Sequence, residues 1–323
     1  MSDASFAWDH FDQHTDTAVV RSARQQLAGE LAQDLLGSKA AARRAFATGQ
    51  LSADGRALQH NDQLAKDDAV ELRLCRAILQ ADPNGPVPDV IYQDPFLLAV
   101  DKPAGLLVHG DGSGADTLTA QVECLLTRQG LLGAVQAVQR LDAQTTGLVI
   151  FSLAQEFQPF LDAQVAGHNM RKRYLAVVEG RMPLGQTWIE LTGPIARDRH
   201  DARRMRVGAT GKPAHTRVQV LSQHKGCSLL LVELLTGRKH QIRVHLAHAG
   251  HPILGDSLYG GAPCRDGLML HALSERIVHP LTREALELQT SVPARFERFL
   301  EAAQGQLRDT PFFAPRGKKG RVP

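Results

Sequence analysis

The segment with the most chemical content is Val138–Phe151, VQRLDAQTTGLVIF. Asp142 lies between a presumed strand ending near Arg140 and a predicted strand over Gly147–Phe151. A carboxylate fixed between two core strands is rigidly placed, and the positive potential of Arg140 favours its ionised form. Thr145, Thr146 and Gly147 supply a tight turn with two hydroxyls. Taken alone, one Asp in one turn most often caps its own backbone. Carboxylate chemistry of the glycosidase kind needs a second acid, and no candidate pair stands out. Three other motifs carry less. His240, His245, His248 and His251 are close in sequence, but the first gap is five, no Glu intervenes, and Pro252 follows, so no metal site is expected. Gly110–Gly114 lacks the spacing of a phosphate cradle, and no G-x-S-x-G elbow is present.

The elements that must hold Asp142 are mostly strands. Val90–Tyr92 and Phe96–Val100 flank Gln93-Asp94-Pro95 in a hairpin-like arrangement. Gly147–Phe151, Tyr174–Val178, Trp188–Leu191, Arg217–Leu221 and Ser228–Leu234 are predicted strands. Leu118–Leu126, Ala154–Val165 and His240–Ala249 are predicted helices. Strands outnumber helices without βαβ alternation, so the expected fold is α+β on a mixed, largely antiparallel sheet. The proline-rich stretch 81–88 reads as a linker. It separates an N-terminal region, 1–80, from a main domain, 89–300, and 301–323 form a basic tail. Residues 1–36 are helix-prone. Ser38–Phe46 is a short basic helix with Lys39, Arg43 and Arg44, followed by strand, Asp54-Gly55 turn, and a closing strand at 69–74.

The composition is that of a globular protein: 323 residues, 43% hydrophobic, 22% charged. That length predicts about two domains. Cys75, Cys124, Cys227 and Cys264 are widely spaced, which fits reduced thiols in a cytoplasmic protein. The N-terminal stretch is acidic and lacks the apolar core of a signal peptide, and no run suits a membrane span. The net charge of +3 hides a strong asymmetry. Residues 165–245 hold 15 Lys and Arg against 5 Asp and Glu. Such an excess attracts a polyanion, of which nucleic acid is the commonest; a solvated basic face is the plain alternative.

Seven ordered blocks resemble the RluA family of RNA pseudouridine synthases. Gln139-Arg140-Leu141-Asp142-Ala-Gln-Thr145-Thr146-Gly147 is similar to the family's H-R-L-D-x-x-T/S-T/S-G motif. Asp101-Lys102-Pro103-Ala104-Gly105-Leu106-Leu107-Val108-His109 precedes it. Lys172-Arg-Tyr174-Leu-Ala176-Val-Val-Glu179-Gly180 and Gly211-Lys212-Pro213-Ala214-His-Thr216 follow. Thr236-Gly237-Arg238-Lys-His240-Gln241-Ile242-Arg243-Val-His245 comes next, then Gly250–Asp256 and Leu270-His271-Ala272. The likeness covers residues 88–300. It departs at Gln139, where the family often has His, which implies altered local hydrogen bonding and not inactivity. Residues 37–75 resemble the αL RNA-binding motif of a ribosomal small-subunit protein, whose basic helix lies on RNA phosphates.

The resemblance implies an isomerase that converts uridine in RNA to pseudouridine. Asp142 is then the nucleophile, Arg243 its ion-pair partner, and Tyr174 the ring that stacks on the target base. Leu270 packs on the other side of that base. Arg140, Thr146 and the basic run with Arg203, Arg204 and Arg206 contact RNA, and the base is flipped out. No metal or cofactor is needed for a redox-neutral isomerisation. Structured RNA is the expected partner, with ribosomal RNA ahead of transfer RNA, and a monomer is expected. A non-catalytic RNA-binding or ribosome-assembly protein would share the charge and the N-terminal module.

Overall fold

The computed structural model describes residues 5–301 apart from 76–78, 80, 111, 113–115, 132, 134, 168 and 186. The basic tail expected beyond residue 301 lies outside the described residues.

Two adjacent strands carry the site, and their sequences explain why they are central. Leu97–Lys102 and Thr146–Ser152 pair antiparallel, with Val149 opposite Val100 and Phe151 opposite Leu98. Successive side chains of a strand point to opposite faces. Leu97, Ala99, Leu148 and Ile150 enter one hydrophobic cluster. Leu98, Val100, Val149 and Phe151 enter another, under the helix Leu118–Arg128. Both faces are covered, so these strands are apolar at consecutive positions.

Among the described residues the main sheet has ten strands. The order runs Ile189–Leu191, Thr216–His224, Cys227–Leu234, Arg171–Glu179, Leu270–Val278, Thr146–Ser152, Leu97–Lys102, Asp89–Gln93. Gln136–Ala137 and Ala285–Gln289 add at its margins. Thr146–Ser152 and Leu270–Val278 run parallel, joined through Thr146–His271 and Gly147–Ala272; the other named pairings are antiparallel. The α+β class read from the sequence is therefore the fold.

Residues 6–22 depart from the helix-prone reading of residues 1–36. In place of a helix, Phe6–Asp12 and Thr17–Ser22 form an antiparallel pair, and Thr17–Ser22 pairs in turn with Ala69–Arg73. Among the described residues up to 36, only Ala28–Leu36 is helical. Tertiary burial overrides weak local propensity here: Ala18 and Val20 are fully buried in the sheet. The basic helix occurs as Lys39–Ala47, capped by the Ser38 hydroxyl, which accepts from the Ala41 amide. The predicted helix Ala154–Val165 opens as a 3-10 turn, Gln155–Phe157, before Gln158–Ala166.

The N-terminal elements share one continuous hydrophobic cluster with the main sheet, from Phe6 and Leu35 through Phe96 and Phe157 to Leu281. Phe96 meets Trp8 and Phe11 edge-on at 6.3 and 5.1 Å. Gly37 ends the helix Ala28–Leu36 at φ 70°, and a Cβ there would lie 2.7 Å from Phe160 Cα, so glycine alone permits this approach. Arg283 donates to the last carbonyls of that helix, Asp34 and Leu35, with its guanidinium 3.7 Å from the Phe160 ring centre. No helix among the described residues is long and apolar enough to cross a membrane.

Candidate active site

Asp142 stands just ahead of the strand Thr146–Ser152, where the two parallel strands meet. Its carbonyl accepts from the Thr145 amide at 3.0 Å, closing the turn. Gly147 follows with φ 112°, and a Cβ there would sit 2.2 Å from the Ala272 carbonyl oxygen. Glycine at 147 is thus a steric requirement of the parallel junction. Lys102, fully buried, donates to the carbonyls of Pro103, Leu106 and Ala143 at 2.9, 2.7 and 2.8 Å. It ties one turn to the Asp142 loop. Burial pushes its pKa down to about 8, against the pull of Asp142.

Arg243, on the largely buried helix Gln241–His248, reaches Asp142 with Nη1, which donates to Oδ2 at 3.0 Å. Its other edge is a fork on Asp256: Nε donates to Oδ2 at 2.7 Å and Nη2 to Oδ1 at 2.8 Å. The Asp256 side chain is 1% exposed, whereas Asp142 keeps 28%. Asp256 is therefore the sealed anchor of the guanidinium, and Asp142 the carboxylate a ligand can reach. Burial works against the charge of Arg243, but the hydrogen bonds and charges of the two carboxylates outweigh it and raise its pKa.

His240 precedes that helix in a left-handed backbone conformation, φ 56°. The predicted helix His240–Ala249 thus begins one residue later. Its Nε2 lies 3.7 Å from Asp142 Oδ1, and its Nδ1 is 2.7 Å from the Tyr259 hydroxyl. The Met205 amide donates to that hydroxyl at 2.9 Å. Arg243 and Arg204 lie 5.1 and 5.5 Å from the Tyr259 ring centre.

Tyr174 and Leu270 lie on neighbouring strands in one cluster, 8% and 3% exposed. Burial, then the charges of Glu275 and Asp142, push the Tyr174 phenol up, so it is a neutral hydroxyl. Gln139 donates to the buried Glu275 carboxylate, which also lies 3.5 Å from Lys172 Nζ. This is the local hydrogen bonding that goes with glutamine at that position. Burial raises the Glu275 pKa against the opposing pull of Lys172.

The remaining sequence-predicted residues divide. Thr146 is buried, with its hydroxyl 2.8 Å from His271 Nδ1 and accepting from Arg295 at 2.5 Å. Those contacts make it an internal support. Arg140 is exposed, two positions before Asp142 in the chain. The run 197–206 is a hairpin, Ile195–Arg197 with Met205–Val207. In it Arg203 is exposed and paired with Asp201 at 2.8 and 3.0 Å, Arg206 is exposed, and Arg204 turns onto Tyr259. Of the four clustered histidines, His240 alone is recorded beside Asp142. His245 is bonded to Thr216 and Gly193, and His251 to the Glu179 carbonyl.

The sequence assigns no role to Asp256, Tyr259 or Lys102. Asp256 and Lys102 lie inside family-like blocks, where a charged residue amid apolar and glycine neighbours is the available signal. Tyr259 offers none.

The sequence matches the RNA pseudouridylate synthase family over residues 97–248. It is 36% identical over 210 residues to the uncharacterized RNA pseudouridine synthase YhcT of Bacillus subtilis, spanning 64% of this chain and 69% of that one. It is 33% identical over 275 residues to the ribosomal large subunit pseudouridine synthase D of Xanthomonas campestris, spanning 79% and 81%. The fold matches the human RNA pseudouridylate synthase domain containing 1 with a TM-score of 0.54 and 26% identity, over 67% of this chain and 87% of that one.

Proposed function

The chain belongs to the RNA pseudouridylate synthases, an isomerase family, and from that premise we propose that it converts uridine to pseudouridine in large-subunit ribosomal RNA, with Asp142 as nucleophile. The observation that carries the assignment to Asp142 is its ion pair with Arg243, itself braced by the sealed Asp256. A guanidinium at that distance complements the charge of the carboxylate and fixes its orientation through a charge-assisted hydrogen bond. A carboxylate with 28% of its side chain open is available to a nucleoside.

The reaction breaks the C–N glycosidic bond, turns the uracil, and forms a C–C bond to the same sugar. The reacting atoms are hidden in stacked RNA, so the uridine is flipped out to meet Asp142. Tyr174 and Leu270, adjacent in one cluster, supply flat and apolar contacts for the base. Arg140 and the hairpin bearing Arg203, Arg204 and Arg206 hold phosphates. The helix Lys39–Ala47, with Lys39, Arg43 and Arg44 exposed, is a second phosphate contact of the αL type. The ribosomal target follows the large-subunit synthases among the relatives. A cytoplasmic location goes with this reading.

The test is to map pseudouridine in RNA from cells with and without the gene, then restore wild-type or Asp142→Asn protein. The expected result is loss of one or more large-subunit sites, restored by wild type alone, while Asp142→Asn still binds RNA. Loss confined to transfer RNA would move the target. Loss of no site would leave an RNA-binding protein without this activity.

A further inference from the structure

We infer that Tyr259 and His240 form a positioning relay for Asp142, in which the phenol fixes His240 as the Nε2–H tautomer and that N–H serves the second carboxylate oxygen. The inference rests on Asp142 being the nucleophile.

The tautomer follows from counting protons. The Met205 amide donates to the Tyr259 oxygen at 2.9 Å. The phenol has one proton, and the acceptor recorded for it among the described residues is His240 Nδ1 at 2.7 Å. A neutral imidazole accepting at Nδ1 carries its own proton on Nε2. Burial, only partly opposed by Asp142, pushes the His240 pKa down, so the neutral ring is the relevant form. Nε2 then faces Asp142 Oδ1 at 3.7 Å, while Arg243 holds Oδ2 at 3.0 Å. The two oxygens are addressed separately, one by a permanent cation and one by a neutral donor. A gap of 3.7 Å is longer than a hydrogen bond. Such contacts commonly tighten when substrate arrives.

The ring has little freedom to face elsewhere. His240 occupies left-handed backbone space, uncommon outside glycine and held by its surroundings. It meets Tyr259 edge-on at 5.7 Å, and the Tyr259 ring is itself 7% exposed beneath two guanidinium groups. Met205 opens the strand Met205–Val207 of the basic hairpin. The relay therefore links a phosphate-holding segment to the reacting carboxylate through two hydrogen bonds and the 3.7 Å approach of His240 to Asp142.

Tyr259→Phe keeps the ring and deletes the hydroxyl. It should lower kcat on target RNA about fivefold to tenfold, the size of one lost hydrogen bond, with KM within about twofold. His240→Gly, which tolerates the positive φ, should lower kcat at least as far, and the double variant should be no worse than His240→Gly alone. Nitrogen-15 NMR of the free protein, with the His240 signal assigned by its absence in His240→Gly, should show the Nε2–H tautomer in wild type and a mixture in Tyr259→Phe. An Nδ1–H tautomer in wild type, or unchanged kcat in Tyr259→Phe, would overturn the relay. Should Asp142→Asn keep full activity, the nucleophile reading falls, and the tautomer measurement, which needs no turnover, still decides the relay.

Discussion

Asp256→Asn tests whether a residue sealed from solvent sets the orientation of the Asp142 carboxylate. Three directed contacts orient this ion cluster, all made by Arg243: two to Asp256 at 2.7 and 2.8 Å and one to Asp142 at 3.0 Å. Asparagine keeps one acceptor oxygen and turns an N–H₂ toward a guanidinium N–H, so one charge-assisted bond is lost and donor faces donor. A hydrogen bond to a charged group is worth about 1.5–3 kcal/mol. If that loss falls on the aim of Arg243 at Asp142, kcat drops roughly 10- to 150-fold. The same loss in a domain of this size lowers Tm by about 3–12 °C. Single-turnover pseudouridine formation on a target transcript, at a temperature where the variant is fully folded, separates rate from stability. A folded Asp256→Asn protein with wild-type rate would refute the bracing argument, because Arg243 would then hold Asp142 without its anchor.

Further outcomes can be measured independently. Arg206→Ala should weaken RNA binding and reduce the slope of log K against log salt by about one; Arg203→Ala should do less, because Asp201 already pairs with it at 2.8 Å. Equal slopes in titrations of the two variants would mean that the Asp201 pair opens on binding. His271, fully buried between the Thr146 and Thr290 hydroxyls, has its pKa pushed down from 6.5 to about 3 by burial and then by Arg295. Between those values the unfolded chain binds a proton that the folded chain refuses, so stability falls as pH drops below 6.5. His271→Gln should flatten that fall in thermal melts from pH 6.5 to 4; parallel curves would exclude His271 as the titrating group. Gly147→Ala places a Cβ 2.2 Å from a carbonyl at φ 112° and should cost more than about 4 kcal/mol, read as loss of the cooperative melt.

Some of this was plain from residue order. Consecutive apolar residues at 97–100 and 147–151 announce strands buried on both faces, and these form the centre of the sheet. Asp142 and Arg243 are marked by the blocks around them. The N-terminal hairpin was not readable, because its strands exist through pairing with Ala69–Arg73 and burial against Phe96, and nothing local distinguishes them from helix.

The clearest division runs through the site itself. Short-range pattern identifies a carboxylate beside a turn that only glycine can complete, since turn sterics depend on immediate neighbours. It does not reveal that Arg243 spends its fork on Asp256, or that a phenol at 259 faces a ring at 240 across the loop from the basic hairpin. Asp142 and Arg243 are 101 positions apart, and Met205 and Tyr259 are 54. Partners so distant are brought to hydrogen-bond length by the packing of whole strands and helices, so their identity belongs to the folded molecule.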